Sequence, residues 1–497
     1  MNYSDMKWTL SKSRILSFLQ CSKRLYLEVH HRNLIKYSYS SEIAFRIGDE
    51  VGDTARRVLM PGGILIEYDR GLRKAVETTH KYLNDLFDVI LYEATLQTQN
   101  VRIRADLLSR NKGSIEVVEV KSSTGVKELY LTDCAIQYSV MDGAGCTPDK
   151  MSLAHINNQF EYQGDGNYNG LFEIVDLTAE VSERAEEVPE WIEQANKTIA
   201  GELPEIEVGE HCTKPYVCPF IEHCWKDVPV IEYPVTKFPG LKKSKYTELV
   251  DAGYEDVRDI PDGLLGNEIL QTRLDACHTG EPVIPSELSN QLEQLTYPRY
   301  YLDFETIGFA VPKWSSTRPY EQLPFQWSCH VEDESMAVSH IEFLDTTGNP
   351  PMLSFSEMLI DTLGDTGAII VYSTFEKTVL QNLQDRYPEL REKLQNIINR
   401  LFDLLQPIRT HYFHRDLQGS YSIKNVLPTV VPELNYAGLE DVQDGMMAQQ
   451  AYLEIINENT TLKRKRSLTD SLLKYCEMDT FAMVKLIQNL SKSDKNK

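Results

Sequence analysis

Nowhere in the 497 residues is there a run of about 18 apolar residues, so no membrane-crossing helix is expected. The opening stretch MNYSDMKWTL has no apolar segment of the kind a secretory signal needs, which points to a cytoplasmic location. Internal repeats and low-complexity tracts are also missing. Basic residues are in deficit: 51 Lys+Arg stand against 74 Asp+Glu, a net charge of −23. That balance argues against broad coating of a polyanion, although net charge hides local patches. Cysteine is sparse and odd in number, nine in all, which disfavours a disulfide framework and leaves free thiols or metal ligation. What is present is enough to fold. Apolar residues make up 42% and charged residues 25%, a composition of packed domains rather than disorder.

Patterning divides the chain into three. Residues 1–227 open with a net charge of +5 over 1–47 and carry helical apolar spacing at 13–32. Strand-like alternation follows over 91–121 with a turn at Asn111–Gly113, and helical patterns at 128–141 and 178–200. Residues 171–210 hold a net −10, read as a solvated or helical acidic face. Residues 228–297 are proline-rich with short helical pieces and read as a helical connector. From 298 to 497, RYYLDFETIGF, FQWSCHVEDE, AVSHIEFLDT and GAIIVYSTF read as strands, with a helix at FSEMLIDTLGD and helices from 376 onward. The expectation is an α/β multidomain chain.

Three groups of residues carry chemistry. Glu119 and Lys121 lie two apart on a strand and therefore share a face, which Asp106 on the preceding strand can join. Two carboxylates and a lysine suit metal-assisted phosphodiester hydrolysis, with Mg²⁺ or Mn²⁺ held by the acids and Lys121 positioned at the nucleophile or phosphate. Glu93, one strand earlier, and Gln137, on the following helix, lie within reach. An E-x-K on a strand is more often a surface ion pair, and only the company of the other residues favours function.

The second group is Cys212, Cys218 and Cys224 in HCTKPYVCPFIEHCW, with Cys21 far upstream in FLQCSKRLYLE. The spacing lacks a C-x-x-C knuckle, and four thiolates with one remote ligand suit an iron–sulfur cluster. Zinc, with His211 or His223 as substitute ligands, is the alternative, and buried unliganded thiols the plainer one. Cys134 and Cys146 read as core thiols.

Together these two groups resemble the RecB-like nucleases of the PD-(D/E)XK superfamily that carry a 4Fe–4S cluster. The resemblance covers residues 1 to about 227 and implies metal-dependent cleavage of DNA, often from ends of single strands. It departs at GDEVGDTAR, where Gly52 stands at the position of the relatives' metal-binding His; Glu50, Asp53 or Glu93 are candidates to compensate.

The third group is Asp303 and Glu305, two apart on a strand at the edge of the C-terminal domain, Glu376 at a helix start, and Tyr475 and Asp479, four apart on one helix face. The four acids suit a pair of metal ions, with Tyr475 orienting the attacking water. LDFET and YCEMD resemble the first and last motifs of the ribonuclease-H-like DEDD exonucleases over about 298–490. The middle motif departs, with Ser373 and Phe375-Glu376 in place of Asn-x-x-Phe-Asp. The whole chain resembles bacterial proteins that join the two nuclease types, and this makes Asp403 and Asp444 secondary candidates.

Weaker signals are LKKSKYTELVDAGYEDV, shaped like a helix-hairpin-helix unit around Gly253, the SYSIK stretch at 420–424, and KRKR at 463–466, each a candidate contact to phosphate. The expected function is a metal-dependent nuclease on DNA with two candidate centres. A non-catalytic nucleic-acid-binding protein with degenerate sites, or an RNA-specific nuclease using one domain, are the alternatives.

Overall fold

The structure is a computed structural model and describes residues 8–68, 71–436, 438 and 441–491. The chain forms an α/β protein of two compact units. The first comprises residues 1–228 with 309–321, the second 229–308 with 322–497. The proline-rich segment read as a connector thus packs within the second unit, and a loop following the LDFET strand packs within the first. No described helix is long and apolar enough to cross a membrane.

The first unit is built on seven strands: β1 (Leu10–Ser11), β2 (Ile64–Leu65), β3 (Val89–Thr98), β4 (Val101–Asn111), β5 (Ser114–Lys121), β6 (Lys150–Ile156) and β7 (Phe172–Asp176). Their order is β2-β3-β4-β5-β6-β7, with β1 parallel to β4. The central three form an antiparallel meander, whereas β5 and β6 run parallel. A parallel pair needs a crossover, and helix α5 (Glu128–Gly143) supplies it. The alternating apolar residues of β3, β4 and β5 feed two cores. One lies under α1 (Lys12–Gln20), α4 (Leu72–Asp85), α5 and α7 (Val188–Ala200). The other lies under α3 (Tyr39–Val58) and includes Ala310 and Val311. The helical pattern at 13–32 is two helices, α1 and α2 (Ser22–His30), broken at Cys21, whose extended backbone (φ −166°) ends one and starts the other. The acidic stretch forms α6 (Thr178–Arg184) and α7, and Cys224 lies on the short α8 (Ile221–Trp225).

The second unit has five strands, β8 (Arg299–Ile307), β9 (Leu323–Glu332), β10 (Val338–Leu344), β11 (Ala368–Val371) and β12 (Leu401–Asp403), in the order β10-β9-β8-β11-β12. The first three are antiparallel; β11 and β12 run parallel to β8. Asp303 and Glu305 were expected at the domain's edge. Instead β8 is the middle strand, because β9 pairs on one side and β11 on the other. Strand β12, only three residues, had no visible pattern; it exists because β11 offers it an open edge.

Helices α9 (Lys243–Asp251), α10 (Glu268–Thr279), α11 (Ser286–Glu293), α12 (Met352–Leu363), α13 (Phe375–Arg386), α14 (Arg391–Asn399), α15 (Leu405–His411), α16 (Ile423–Val430), α17 (Gly445–Ile456) and α18 (Leu462–Leu490) complete the unit. After Gly253 (φ +88°) the chain makes a single 3-10 turn at Val257–Asp259 before α10, whose N-cap Asn267 accepts from the Leu270 N–H. Thr461 caps α18 in the same way. Within KRKR, Arg464 is already paired with Asp441 and Glu454.

Candidate metal centres and a four-cysteine cradle

In the first unit the period of two on β5 turns Glu119 and Lys121 to one face, and α5 lies over that face. Asp133 and Gln137, four apart on α5, therefore meet them. Gln137 Nε2 donates to Glu119 Oε2 at 2.6 Å. Lys121 Nζ donates to Glu119 Oε1 at 2.6 Å and to Asp133 Oδ2 at 2.5 Å. A second lysine, Lys12 on α1, joins the same acids, 2.8 Å from Glu119 Oε1 and 3.0 Å from Asp133 Oδ1. Asp106 on β4 accepts from the Val120 N–H at 2.8 Å. It faces an open cleft that Gly52, Glu93, Glu119 and Lys121 also line.

The electrostatics follow from burial. Asp106 is pushed up to about 7, first by burial and then by the charge of Glu119. Burial acts on Glu119 in the same sense, but Lys12 and Lys121 outweigh it and hold that carboxyl well below its ordinary value. The register sets Tyr92 opposite Leu107 and Ala94 opposite Ala105, which brings Glu93 across from Asp106. Glu93 sits at φ +56°, and its carboxylate is clasped by Arg56 (2.5 Å) and Arg104 (2.9 Å). Of the possible substitutes for the missing His, Asp53 pairs with Arg56 at 2.9 Å and Glu50 lies 3.5 Å from Lys313. Gly52 lines the cleft, and outside its own helix backbone no atom of the described residues lies within 4 Å of where its Cβ would be.

The four cysteines Cys21, Cys212, Cys218 and Cys224 line one small pocket, together with Lys23, Arg24 and Phe220. The extended residue between α1 and α2 brings Cys21 there, and Gln20 ties the segment down by donating to the carbonyls of His211 (2.7 Å) and Tyr216 (2.8 Å). Burial raises the Cys218 and Cys224 thiols; Arg24 and Lys23 respectively oppose it, and the other cysteines reinforce it. A thiolate-ligated group fits this donor set: four cysteines line the same pocket, and two cationic side chains are at hand to offset their charge. His211 Nε2 is 3.7 Å from Cys212 Sγ. Cys134 lies in the core beside Glu119 and Asp133, and Cys146 packs at its margin.

In the second unit, Asp303 is paired in register with Ser328 and Glu305 with Gln326. Gln326 Nε2 donates to the Leu472 carbonyl (2.9 Å), and the Ser328 and Thr480 hydroxyls are 2.9 Å apart. This face of β8 and β9 is thus the one that α18 covers, and α18 carries Tyr475, Cys476 and Asp479. Glu376, on the first turn of α13, enters from a third element. Ser373, just ahead of it, sits at φ +151°, a conformation that favours glycine, and its hydroxyl accepts from the Phe375 N–H at 3.1 Å.

Burial dominates every charge here. It raises Asp303 well above the carboxylate range, with Asp479, Glu305 and Glu376 adding to the effect. Glu305 is pushed up to about 8 by burial and Asp479, against a counter-pull from Lys424. Glu376 also reaches about 8, through burial and the Asp403 and Asp479 charges. Asp479 is raised to about 6 by burial, tempered by the Tyr436 hydroxyl, which donates to its Oδ1 at 2.6 Å. Glu376 is only 3% exposed, and its Oε2 has no hydrogen-bond partner among the described residues. Lys424 donates to the Tyr475 hydroxyl at 3.1 Å. Asp444 caps α17, accepting from the Met447 N–H at 2.8 Å, and its charge reaches Glu305. Ser422 stands at the N-cap of α16 without capping it; its hydroxyl donates to Asn425 Oδ1 instead (2.8 Å).

Sequence reasoning missed Lys12, Asp133, Tyr436 and Cys476. Two had a signal: Asp133 is four residues from Gln137, and Cys476 adjoins Tyr475. Lys12 showed only as part of a basic stretch. Tyr436 gave none, since its contact to Asp479 spans the loop after α16.

The comparisons name no reaction. The family described as "Domain of unknown function (DUF2779)" matches residues 300–422, about a quarter of the chain, and that span includes Asp303, Glu305 and Glu376. Among curated proteins, the chain is 26% identical over 229 residues to the uncharacterized protein MG366 of Mycoplasma genitalium, covering 41% of this chain and 33% of that protein. It is 28% identical over 212 residues to the MG366 homolog of Mycoplasma pneumoniae (39% and 32%). Against the uncharacterized protein UU173 of Ureaplasma parvum it is 26% identical over 214 residues (38% and 31%). The chain therefore spans about a third of the length of the curated relatives it matches.

Proposed function

We propose that this protein is a metal-dependent nuclease that hydrolyses phosphodiester bonds of DNA, acting as an exonuclease on single-stranded or end-bearing substrates. The observation that carries the reading is the second unit's cluster. Four buried carboxylates come together from three separate elements, and the one lysine acting on them, Lys424, offsets only Glu305 and Asp479. Raised as they are, these acids share protons at neutral pH, and a divalent cation is the natural replacement for that positive charge. The strand order, three antiparallel strands followed by two parallel ones, supports a ribonuclease-H-like fold for this unit. The meander with its α5 crossover supports a PD-(D/E)XK core for the first.

In the second centre, Asp303, Glu305, Glu376 and Asp479 would hold Mg²⁺ or Mn²⁺. When bound, the metal neutralises phosphate charge and lowers the pKa of water. Tyr475, oriented by Lys424, positions the attacking water, and Tyr436 fixes the rotamer of Asp479. In the first centre, Asp106 and Glu119 are the metal-binding acids, Gln137 orients Glu119, and Lys121 attends the nucleophile or phosphate. Here the lysines and arginines already neutralise Glu119 and Glu93, so the metal must compete with them. The four-cysteine cradle would hold an iron–sulfur cluster with a structural role, joining Cys21 to the 212–224 segment.

The test is hydrolysis of end-labelled DNA and RNA with Mg²⁺ or Mn²⁺ by wild type, Asp106→Ala, Lys121→Ala and Asp303→Ala. Metal-dependent cleavage of DNA that is lost in Asp303→Ala supports the reading. Binding without hydrolysis in any divalent metal would replace it with a nucleic-acid-binding role, and cleavage of RNA alone would reassign the substrate. Cleavage unaffected by all three substitutions would refute the site assignment.

A further inference from the structure

One group in the second centre has no part in the reading above. Cys476, fully buried on α18, directs its thiol into the acidic cluster and donates to Asp303 Oδ2 at 3.4 Å. A carboxylate oxygen of Asp303, one of Glu305 and the Cys476 sulfur all lie within 4.8 Å of one another. An independent sign of a missing ligand is Glu376 Oε2, which is buried and unpartnered on a side chain whose charge reaches both Asp303 and Glu305.

The spacing has a simple reading. A tetrahedral zinc ion binds sulfur at about 2.3 Å and carboxylate oxygen at about 2.0 Å, which sets two such donors about 3.5 Å apart. The observed separation of Cys476 Sγ and Asp303 Oδ2 is 3.4 Å. A thiolate selects borderline and soft cations, whereas Mg²⁺ takes oxygen ligands and gains little from sulfur.

We propose that Asp303, Glu305 and Cys476 form a mixed carboxylate–thiolate site that takes Zn²⁺ in preference to Mn²⁺ or Mg²⁺. The inference rests on the reading of this cluster as a metal centre and adds the choice of metal. Binding releases the thiol proton to solvent, so zinc affinity rises with pH. Zinc at this position excludes the hydrolytic metal from it, which makes the ion an inhibitor of the second centre.

The test uses the full chain and Mn²⁺ followed by electron paramagnetic resonance, with free Zn²⁺ fixed by a metal buffer so that uptake by the four-cysteine cradle does not distort the titration. The signal of interest is the bound Mn²⁺ that disappears in Asp303→Asn. Wild type should lose it at low free Zn²⁺. Cys476→Ser should need at least about tenfold more Zn²⁺ while Mn²⁺ affinity stays within about threefold, since loss of even an outer partner of a metal ligand typically costs 10–100-fold. Cys476→Ala provides the same comparison if the serine variant folds poorly, with circular dichroism as the check. In parallel, Co²⁺ should give a sulfur-to-metal charge-transfer band whose intensity drops by one thiolate's share in both variants. Unchanged zinc displacement, or zinc and manganese affinities falling by a common factor, would overturn the proposal and leave the metal centre standing. Absence of any Asp303-dependent Mn²⁺ binding in wild type would overturn the metal centre itself.

Discussion

Glu305→Gln offers a direct measure of what the acidic cluster costs the metal-free fold. Glu305 is 7% exposed, and its carboxyl is lifted from the ordinary 4.5 to about 8 by burial and the neighbouring Asp479 charge. A carboxyl raised on folding binds its proton more tightly in the folded state. Its stabilising share is therefore complete below pH 4.5 and is lost as pH climbs toward 8. At pH 7 the loss comes to about 3 kcal/mol, at about 1.4 kcal/mol for each tenfold change, an upper bound because the acids share protons. A neutral amide of the same shape escapes this penalty. Glu305→Gln should raise the melting temperature of metal-free protein at pH 7 by up to roughly 6–12 °C, given about 2–4 °C per kcal/mol for a unit this size. The gain should vanish near pH 4.5. Differential scanning calorimetry across pH 4.5–8, with and without Mn²⁺, reads this out. Wild type should be stabilised by Mn²⁺ and the variant much less. A variant that melts below wild type by the same margin at pH 5 and pH 8, or that keeps the full Mn²⁺ response, would refute the argument.

Other substitutions reach the remaining features. Gly52→His fills open space facing the first cleft and replaces a mid-helix glycine, so it should stabilise α3 by about 0.3 kcal/mol, histidine being itself a weak helix former, and tighten Mn²⁺ binding that depends on Asp106; unchanged binding in a titration would count against Gly52 as a lost ligand position. Lys12→Met leaves Lys121 alone with two buried acids and should cost about 2 kcal/mol at pH 7, less than the usual price of breaking a buried pair because one cation remains. Since Glu119 is held low in the fold, this penalty should fade as pH drops below 4.5, and a pH-independent loss in denaturant titrations would contradict the charge argument. Protein purified without oxygen should be brown and contain iron and sulfide, and Cys218→Ser should lose both; colourless protein with stoichiometric zinc would exclude an iron–sulfur cluster.

The acidic balance of the chain is now distributed. Eight of the carboxylates discussed, Glu93, Asp106, Glu119, Asp133, Asp303, Glu305, Glu376 and Asp479, lie in the two clusters. In the first they meet lysine and arginine; in the second Lys424 is the one cation set against four acids, beside the Tyr436 hydroxyl and the Cys476 thiol. A net −23 therefore coexists with the proposed nucleic-acid substrate only if binding is local and metal-assisted, and tight metal-free binding at ordinary salt would contradict it.

Local pattern was enough to place the period-two pairs Glu119/Lys121 and Asp303/Glu305, the i,i+4 pair Tyr475/Asp479, and Glu376 at a helix start, because strand and helix periodicity alone decides which residues share a face. The spacing of three cysteines pointed to a shared ligand, though only the fold carries Cys21 to them. Three things were decided by tertiary structure. One is the position of β8 at the centre of its sheet, set by which strands find its two edges. Another is the pairing of Glu93 with Arg56 and Arg104, which needs α3 and β4 to approach the same strand. The last is the entry of Lys12, Asp133, Tyr436 and Cys476 into the sites. Each of these contacts joins residues distant in sequence, and its existence depends on sheet order and helix crossover, quantities that no single segment's hydrophobic pattern contains.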